Sequence, residues 1–234
     1  MSTENKNVQE SKVSVEVFVG AQHGKRSELL VGKKTFLRLK RLFDLSFSTL
    51  CLILSAPLWF LFPLLIWLED RGPVFFRQER VGKNQEKFSL LKFRSMIPNA
   101  EMAGEAVMAA SQDPRITRVG YLLRKTALDE LPQLLSIWKG DMSFVGPRAL
   151  RESEKMIGEN GEILVNMSDI EGFEIRQSVC PGLTGIAQVY AARDIHHRYK
   201  FKYDLLYIKR MSLGVDLKLI LTSFWYTFTA KWHV

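Results

Sequence analysis

The stretch of sequence that decides the fold is Leu45–Leu68, LSFSTLCLILSAPLWFLFPLLIWL, which contains no charged residue over 24 positions. As a straight helix it would reach roughly 36 Å at about 1.5 Å per residue, enough to cross a hydrocarbon core of ~30 Å. Two prolines argue against a straight helix, because a proline inside a helix removes a backbone hydrogen bond and kinks or breaks it. Pro57 lies near the middle of the segment, and Pro63 adds a second weak point.

Basic residues flank the apolar segment on both sides. They are Lys33, Lys34, Arg38, Lys40 and Arg41 before it, and Arg71, Arg77, Arg80, Lys83 and Lys87 after it. Because basic flanks favour the cytoplasmic side of a membrane, both ends are expected on that side. A helix that enters the bilayer, breaks at Ala56-Pro57 and returns satisfies both flanks, with limbs of about 12 residues and ~18 Å each. The sequence therefore favours a re-entrant membrane helix over a spanning helix or a buried helix of a soluble domain.

The rest of the chain divides around this segment. Residues 1–35 are expected to form a polar N-terminal tail, with an alternating, strand-like run at 13–20. Residues 36–70 hold the basic flank and the re-entrant helix. Residues 71–234 are expected to form a globular domain. Its last stretch, 216–234, mixes aliphatic and aromatic residues with sparse lysines, which is typical of an amphipathic interfacial helix, although a core helix is the alternative.

Within the globular domain the pattern predicts a mostly helical α+β fold. Residues 73–96 contain two strand-like runs around the turn VGKN, which predicts a β-hairpin. A short helix capped by an asparagine is predicted over Asn99–Ala110, two helical pieces over 113–148, and a basic helix over 197–211. Residues 179–194 contain a proline and two glycines near their start, so we expect a turn that enters a short extended run.

The composition of the 234-residue chain restricts the classes of function. A net charge of +8 suits nucleic acid, anionic lipid headgroups or phosphorylated substrates as partners. No nucleic-acid partner is expected, because the basic residues are spread along the domain and such a partner leaves the apolar segment unexplained. Cys51 and Cys180 are far apart in the sequence, so they offer neither a disulfide framework nor a zinc-ligand spacing, which fits a reducing compartment.

A second stretch, Thr126–Arg148 (TALDELPQLLSIWKGDMSFVGPR), carries the adjacent carboxylates Asp129 and Glu130. Adjacent side chains on a helix point ~100° apart, so these two cannot form the facing pair of a glycosidase. One interpretation is structural: Asp129 caps a helix that tolerates Pro132 in its first turn. The buried stripe of that helix would be Leu131, Leu134, Leu135 and Trp138. A chemical role for the acidic pair is the alternative.

Four stretches of the chain resemble the bacterial sugar transferases, the monotopic polyprenyl-phosphate phosphoglycosyl transferases. They are KRLFDL (40–45), GPVFFRQERVGKNQEKFSLLKFRSM (72–96), DPRITRVGYLLRKTALDELPQLLSIWKGDMSFVGPR (113–148) and PGLTGIAQV (181–189). The resemblance implies a re-entrant membrane helix and a catalytic domain on the cytoplasmic face of a bacterial inner membrane. It also implies transfer of a phosphosugar from a UDP-sugar to undecaprenyl phosphate, with release of UMP, and leaves a homo-oligomer open.

The resemblance also implies roles for individual residues. Asp129 would attack the sugar-bearing phosphorus to give an aspartyl-phosphosugar, since a carboxylate with a pKa of ~3.9 is ionised at neutral pH and needs no base. Mg²⁺ would neutralise the pyrophosphate, with Asp129 or Glu130 as its ligand. Arg148 ranks first among the expected substrate-binding residues, because Gly146-Pro147 fix its loop and arginine offers a two-pronged donor. The full set is Lys92, Arg94, Arg118, Arg124, Arg148, Gln188 and Arg193.

Two positions depart from the usual pattern of the family. At the helix break the family usually has Ser-Pro where this chain has Ala56-Pro57, so the break would rest on Pro57 and packing alone. After Arg148 the family often has a second proline, whereas this chain has Ala149. That change loosens one turn but keeps the arginine.

Two other functions are compatible with these residues. A membrane-bound phosphohydrolase would use water as the second acceptor and release free sugar phosphate. In a non-enzymatic scaffold on a membrane surface, the acidic pair would only cap a helix. Transfer of label from a UDP-sugar into a lipid separates both from a transferase.

Overall fold

The computed structural model describes residues 32–100, 113–152, 156–157, 163–164, 167–191, 195 and 197–229. The α-helices of the described part are α1 (Lys34–Leu54), α2 (Leu58–Asp70), α3 (Arg118–Lys125), α4 (Gln133–Lys139), α5 (Phe173–Arg176), α6 (Ile186–Tyr190), α7 (His197–Arg210) and α8 (Leu213–Phe228). The strands are β1 (Phe75–Val81), β2 (Lys87–Phe93), β3 (Ser143–Val145), β4 (Met156–Ile157), β5 (Ile163–Leu164) and β6 (Gly182–Thr184). The 3₁₀ turns are Lys83–Gln85, Leu128–Glu130 and Met167–Asp169. The mostly helical α+β fold is therefore confirmed.

The apolar segment forms a bent pair of helices, and the break falls where Pro57 predicted it. Among the described residues, no single helix is long and apolar enough to cross a bilayer; α1 and α2 reach that length and composition only together, and they are bent by 60°. The limbs are unequal, with 21 residues in α1 and 13 in α2. Pro63 lies inside α2 without ending it. The placement of this pair in a membrane stays a prediction.

Ser55 supports the break between α1 and α2. Its hydroxyl donates a hydrogen bond to the carbonyl of Leu52 at 3.3 Å and accepts one from the indole N–H of Trp59 at 3.2 Å. The expectation that the break rests on Pro57 and packing alone is therefore wrong. A serine two residues before the proline binds a carbonyl of the last turn of α1, which the break leaves without its usual partner.

Two basic residues of the N-terminal flank cap helices of the globular part. Lys33 Nζ donates to two carbonyls at the C-terminal end of α7, both at 2.6 Å. Arg41 donates to two carbonyls at the C-terminal end of α4, at 2.6 and 2.7 Å. These carbonyls belong to the last turns of their helices, where internal partners are missing and a cation is favourable. Lys33 and Arg41 therefore stabilise helix ends in addition to contributing to the basic flank.

Lys40, on the same helix, is buried and ionically paired. Its Nζ lies 2.6 Å from Asp216 Oδ2 of α8. The other oxygen of Asp216 accepts a hydrogen bond from Tyr207 Oη at 2.8 Å, and the same hydroxyl lies 3.1 Å from the carbonyl of Val145. Breaking a buried pair leaves an uncompensated charge, so this contact fixes α1 against α8 and β3.

The predicted hairpin is confirmed and carries α3 at its open end. β1 and β2 pair antiparallel over their full length, with Phe75 opposite Phe93. A Cβ added to Gly120 of α3 would lie 2.0 Å from the carbonyl oxygen of Ser95, so only glycine permits this approach. The segment that follows α3 is thereby held next to β2.

The main core lies between α1, α4, α7, α8 and the short parallel pair β3–β6. Ile137, Val145 and Ile208 are fully buried at its centre. In the β3–β6 pair, Ser143 lies opposite Gly182. β6 pairs with the three-residue β3 and forms a further bridge from Gly182 to Arg148. The extended run predicted within 179–194 ends at Thr184, and α6 follows it.

The buried face of α4 differs from the predicted stripe. Leu134 is buried, but Trp138 is about half exposed and Ile137 is fully buried. α4 begins only at Gln133, and this helical phase turns Ile137 inward and Trp138 outward. The predicted helices over 197–211 and in the C-terminal stretch are confirmed as α7 and α8.

Two further predictions fall on other parts of the chain. The strand-like run at 13–20 lies outside the described residues, as does most of the helix predicted over Asn99–Ala110. The division into a tail at 1–35, a membrane segment at 36–70 and a domain at 71–234 stays a prediction.

Candidate functional site

The acidic pair lies in a short turn between α3 and α4. Ala127 has a left-handed backbone (φ 54°) and begins the 3₁₀ turn that contains Asp129 and Glu130. α4 starts after Pro132, which is its N-cap and has no side-chain capping hydrogen bond. The interpretation of Asp129 as a helix cap is therefore wrong. Ala127 separates α3 from the turn, and the turn precedes α4. Asp129 and Glu130 therefore do not cap α4.

Lys92 of β2 faces the acidic pair. Successive side chains of a strand point to opposite faces, and Phe93 packs in a cluster with Leu123 of α3, which leaves Lys92 on the other face. Lys92 Nζ donates to Glu130 Oε1 at 2.5 Å and lies 3.9 Å from Asp129 Oδ2. The ammonium group of Lys92 thus lies near both carboxyl groups, and it is much closer to that of Glu130 than to that of Asp129.

Burial changes the acidity of Asp129, which is 9% exposed. Desolvation raises its pKa to about 6; Lys92 opposes this shift, Glu130 adds to it, and Arg124 opposes it weakly. This pKa lies above the ordinary aspartate value of ~3.9 that was expected from the sequence, which corrects that expectation. Asp129 is still ionised at pH 7.5, but it is more basic than an exposed aspartate.

The pKa of Glu130 moves the other way. Burial favours its neutral form, but the charge and hydrogen bond of Lys92, together with Arg148 and Gln133, outweigh burial and lower the pKa of Glu130 below its ordinary value. The two neighbours are therefore separated in acidity. Glu130 holds a firm negative charge, and Asp129 is the group that exchanges a proton near pH 6, which is the kind of separation that assigns different roles to paired acids.

The loop that carries Arg148 is fixed by its backbone. Gly182 N donates to the carbonyl of Pro147 at 2.8 Å, and Gly146 N donates to β6 at 2.9 Å. A Cβ on Gly182 would lie 2.0 Å from Gly146 N, so the backbone segments at Gly146 and Gly182 pack in van der Waals contact. The side chain of Arg148 is exposed, and its charge lies close enough to Glu130 to affect the pKa of that residue.

Arg94 has a different environment from Lys92. Its two terminal nitrogens donate to both oxygens of Asp70, at 2.7 and 2.5 Å, and the side chain is buried. A Cβ on Gly72 would lie 2.9 Å from this guanidinium. In this structure Arg94 ties β2 to the end of α2, and its predicted contact with substrate stays a prediction.

The remaining predicted residues are spread over two regions. Arg118 and Arg124 are exposed on α3, and the positive charge of Arg124 is close enough to act against the rise in the pKa of Asp129. Gln188 of α6 lies beneath the Arg148 loop, with its Nε2 3.5 Å from the carbonyl of Gly182. Arg193 lies outside the described residues.

Gln133 is a site residue that the sequence argument missed. It is buried, and its side chain donates a hydrogen bond to Glu130. The signal was present in the sequence, because residues three apart in a helical turn lie on one face and an amide can bond a carboxylate there.

The predicted Mg²⁺ fits the acidic pair only with help from substrate. Among the described residues, no group of three histidine, cysteine or acidic side chains could hold a metal ion. Mg²⁺ usually takes one or two carboxylates and completes its shell with phosphate oxygens and water. Asp129 and Glu130 meet that requirement, since they are adjacent and already share one cation, Lys92.

Residues 35–230 match the family model described as bacterial sugar transferase, so the chain belongs to that family. It is 40% identical over 78% of its length to a UDP-N-acetylgalactosamine-undecaprenyl-phosphate N-acetylgalactosaminephosphotransferase of Aeromonas hydrophila. It is 39% identical over 77% of its length to an undecaprenyl-phosphate glucose phosphotransferase of Komagataeibacter xylinus. The matches cover 42% and 34% of these two relatives. An exopolysaccharide production protein of Rhizobium meliloti (strain 1021) is 35% identical over 77% of this chain and 81% of its own length.

Proposed function

We propose that this protein transfers a sugar 1-phosphate from a UDP-sugar to undecaprenyl phosphate, releasing UMP and giving undecaprenyl-diphosphate-sugar. Such a product begins an exopolysaccharide, a capsule, an O-antigen or a protein glycan. The observation that carries the proposal is the buried Asp129 carboxyl, with a pKa of about 6, beside the paired Lys92 and Glu130. Membership of the sugar transferase family and the names of its relatives support the substrate class.

In the first half of the reaction, a carboxylate oxygen of Asp129 attacks the phosphorus that carries the sugar. The bond from this phosphorus to the UMP oxygen breaks, UMP leaves, and an acyl phosphate joins Asp129 to the sugar. The raised pKa favours this attack, because a more basic carboxylate is a better nucleophile while it remains ionised at pH 7.5.

In the second half, an oxygen of undecaprenyl phosphate attacks the same phosphorus, and Asp129 departs as a carboxylate. Lys92 lies 3.9 Å from Asp129 and can offset the charge that returns to it. Because the two half-reactions use one site in turn, a soluble donor and a lipid acceptor need not be bound together.

The cations of the site would bind the phosphate oxygens. Arg148 offers a planar, two-pronged donor on a loop whose backbone is fixed, which suits a phosphate group. Arg118 and Arg124 are exposed on α3 and could reach a donor above Asp129. Mg²⁺, held by Glu130 or Asp129 together with phosphate oxygens, would supply charge neutralisation of the pyrophosphate.

We infer that α1 and α2 enter one leaflet of the bacterial inner membrane and that α8 lies at its cytoplasmic surface. Exposed apolar side chains on these helices support this placement, since a patch of this extent is unusual on a soluble monomer. They are Leu50, Ile53, Leu54, Phe60, Leu61, Leu64, Trp67 and Leu68 on the bent pair, and Leu213, Leu217, Leu221, Phe224, Trp225 and Phe228 on α8.

The test is a transfer assay with the full chain in lipid nanodiscs. Radiolabel from UDP-glucose or UDP-N-acetylgalactosamine should enter a butanol-extractable lipid only when undecaprenyl phosphate and Mg²⁺ are present. Without the lipid acceptor, the intact mass should rise by one phosphosugar, and the adduct should map to Asp129. Lipid product without any adduct would exclude the covalent route, and no lipid product with any UDP-sugar would exclude the function.

The same assay addresses the two alternatives. A phosphohydrolase would release free sugar phosphate without a lipid acceptor, in amounts that exceed one equivalent of enzyme. A scaffold would bind the vesicles and release nothing. The pKa of Asp129 is raised and that of Glu130 is lowered, which favours an enzyme over a scaffold. Residues that only cap a helix do not require such a difference.

A further inference from the structure

Arg176, the last residue of α5, is buried and makes three contacts that the transfer mechanism does not use. Its Nε donates to Asp204 Oδ2 of α7 at 2.8 Å, and both side chains are at most 3% exposed. Its guanidinium carbon lies 4.7 Å from the ring centre of Phe201. Its Nη2 donates to the backbone carbonyl of Arg148. Burying a charged guanidinium costs free energy unless its hydrogen-bonding groups have partners. These contacts therefore hold the guanidinium of Arg176 in one orientation.

The next carbonyl along the loop is held in a similar way. Arg80 of β1, also buried, donates from Nη1 to the carbonyl of Ala149 at 3.0 Å. Two consecutive carbonyls, those of Arg148 and Ala149, are therefore fixed by buried guanidinium groups that approach from different elements. An alanine leaves its φ free, unlike a proline, so the backbone at this turn needs support from outside the loop.

The direction of the Arg148 side chain depends on this backbone. The Cα of Arg148 carries both the side chain and the carbonyl group that Arg176 holds, so the backbone torsions at this Cα set the direction in which the side chain leaves the loop. On the other side, the carbonyl of Pro147 is held by Gly182 N at 2.8 Å. The backbone is thus held on both sides of the Arg148 Cα.

We propose that Arg176, oriented by Asp204, is a positioning residue for phosphate recognition: it holds the carbonyl of Arg148 so that the Arg148 guanidinium is presented to the phosphate groups of the substrate. This inference rests on the proposed function, because it assigns Arg148 to phosphate binding. Arg176 itself touches no substrate, and it acts only through Arg148.

The first test is the variant Arg176→Lys. A lysine keeps the positive charge beside Asp204 but cannot bridge the carboxylate and the Arg148 carbonyl with one planar fork. We expect kcat/KM for the UDP-sugar to fall by roughly 5- to 20-fold. Ile170→Val is the matched control, because Ile170 is equally buried in the cluster that contains Phe201 and its apolar side chain cannot donate a hydrogen bond to either carbonyl. It should lower the melting temperature and leave turnover near the wild-type value.

A double-mutant cycle separates positioning from general stability. If Arg176 acts through Arg148, the loss caused by Arg176→Lys should nearly vanish in an Arg148→Lys background. The Ile170→Val change should instead combine additively with Arg148→Lys. Additive losses for Arg176→Lys and Arg148→Lys would overturn the proposal.

A measurement without substrate keeps the result independent of the proposed function. In Arg176→Lys, hydrogen exchange of the Gly182 amide, which donates to Pro147, should accelerate by about tenfold beyond the change in global stability. Ile170→Val should show only the global change. If Arg176→Lys does not fold, Asp204→Glu, which keeps the charge and shifts it by one methylene, takes its place. Wild-type exchange at Gly182 in the variant would overturn the proposal that Arg176 positions this loop. A wild-type enzyme that transfers no sugar phosphate would instead overturn the proposed function, and with it the phosphate-binding role of Arg148, while the effect on exchange would remain.

Discussion

Two adjacent acidic pairs lie beside residues with a left-handed backbone, Glu69-Asp70 at the end of α2 and Asp129-Glu130 before α4. In the first pair the left-handed residue is Arg71, which follows and ends the helix. In the second it is Ala127, which precedes the pair and begins the turn. The local sequence signals are alike, but the first pair is exposed and the second is packed between β2, α3 and α4.

The contacts of the first pair are those of a structural tie. Glu69 accepts the backbone N–H groups of Arg118 and Val119, at 2.7 and 3.2 Å, and so satisfies the start of α3. Asp70 binds the fork of Arg94. Each carboxylate has its own partner, so the pair holds α2, α3 and β2 together. Both carboxylates are engaged in these structural hydrogen bonds.

In the second pair, both carboxyl groups share the ammonium group of Lys92, and burial disfavours the ionised form of Asp129. The comparison teaches that burial and the number of cations, rather than the order of residues, distinguish a reactive acidic pair from a structural one. Exposed carboxylates are stabilised by water and by their own partners. A buried carboxylate with a shared partner remains basic, and that basicity is what a nucleophile needs.

The largest expected effect is on turnover in Asp129→Asn. The change removes the attacking oxyanion and keeps the shape of the side chain, so transfer should fall by roughly 10³-fold or more. Glu69→Gln is the matched change in the structural pair and should reduce transfer by less than about threefold. The measurement is the initial rate of lipid labelling. A normal rate in Asp129→Asn would exclude Asp129 as the nucleophile.

Glu130→Gln should have the second largest effect. The amide keeps the size of the side chain but loses the charge that pairs with Lys92 at 2.5 Å. We expect transfer to fall by roughly 10- to 100-fold, with a higher Mg²⁺ concentration needed for half-maximal rate. A wild-type Mg²⁺ dependence in this variant would show that Glu130 is not a ligand.

The pH profile should show the raised pKa of Asp129. Since the reactive form is the carboxylate, the rate should fall as the pH drops through about 6, to roughly one tenth of its plateau at pH 5. Lys92 opposes the rise of this pKa, so Lys92→Gln should move the acidic limb to higher pH. An unchanged limb in Lys92→Gln would contradict the assignment of the limb to Asp129.

The smallest expected effect is on stability, and its sign should differ between the pairs. The folded chain binds a proton at Asp129 more tightly than the unfolded chain does, so ionisation of Asp129 destabilises the fold above pH 6. Asp129→Asn should therefore stabilise the fold at pH 7.5 by about 1–3 kcal/mol, and this gain should vanish near pH 4. Asp70→Asn should destabilise it by about 1 kcal/mol. Thermal unfolding of each variant in one detergent gives both values.

The sequence predicted the elements whose causes are local. Pro57 marked the break between α1 and α2, and the alternation around VGKN marked the hairpin. In both cases the deciding signal lies within a few residues of the feature. The roles of Asp129, Glu130, Lys92 and Arg148 stay predictions, although the structure places Lys92 beside the acidic pair.

The features that the sequence did not reveal depend on long-range contacts. Asp129 is buried where its 3₁₀ turn packs against β2, and the close approach of Gly120 to Ser95 holds the preceding helix in place; no local pattern encodes these contacts. The lysines and arginines of the flank were considered from the sequence only as basic residues beside the apolar segment, and such a count does not show which carbonyls they bind. Arg41, for example, binds carbonyls almost a hundred residues later in the chain.

The pairing of Lys40 with Asp216 also sets an order of events during synthesis. The two residues are separated by 176 positions, so at ~5–20 residues per second the ribosome needs roughly 10–35 s after making Lys40 to reach its partner. Throughout that interval α1 carries an unpaired ammonium that the finished fold buries. Lys40 and the rest of α1 are therefore made well before α8, and the packing of α8 against α1 is completed only after that interval.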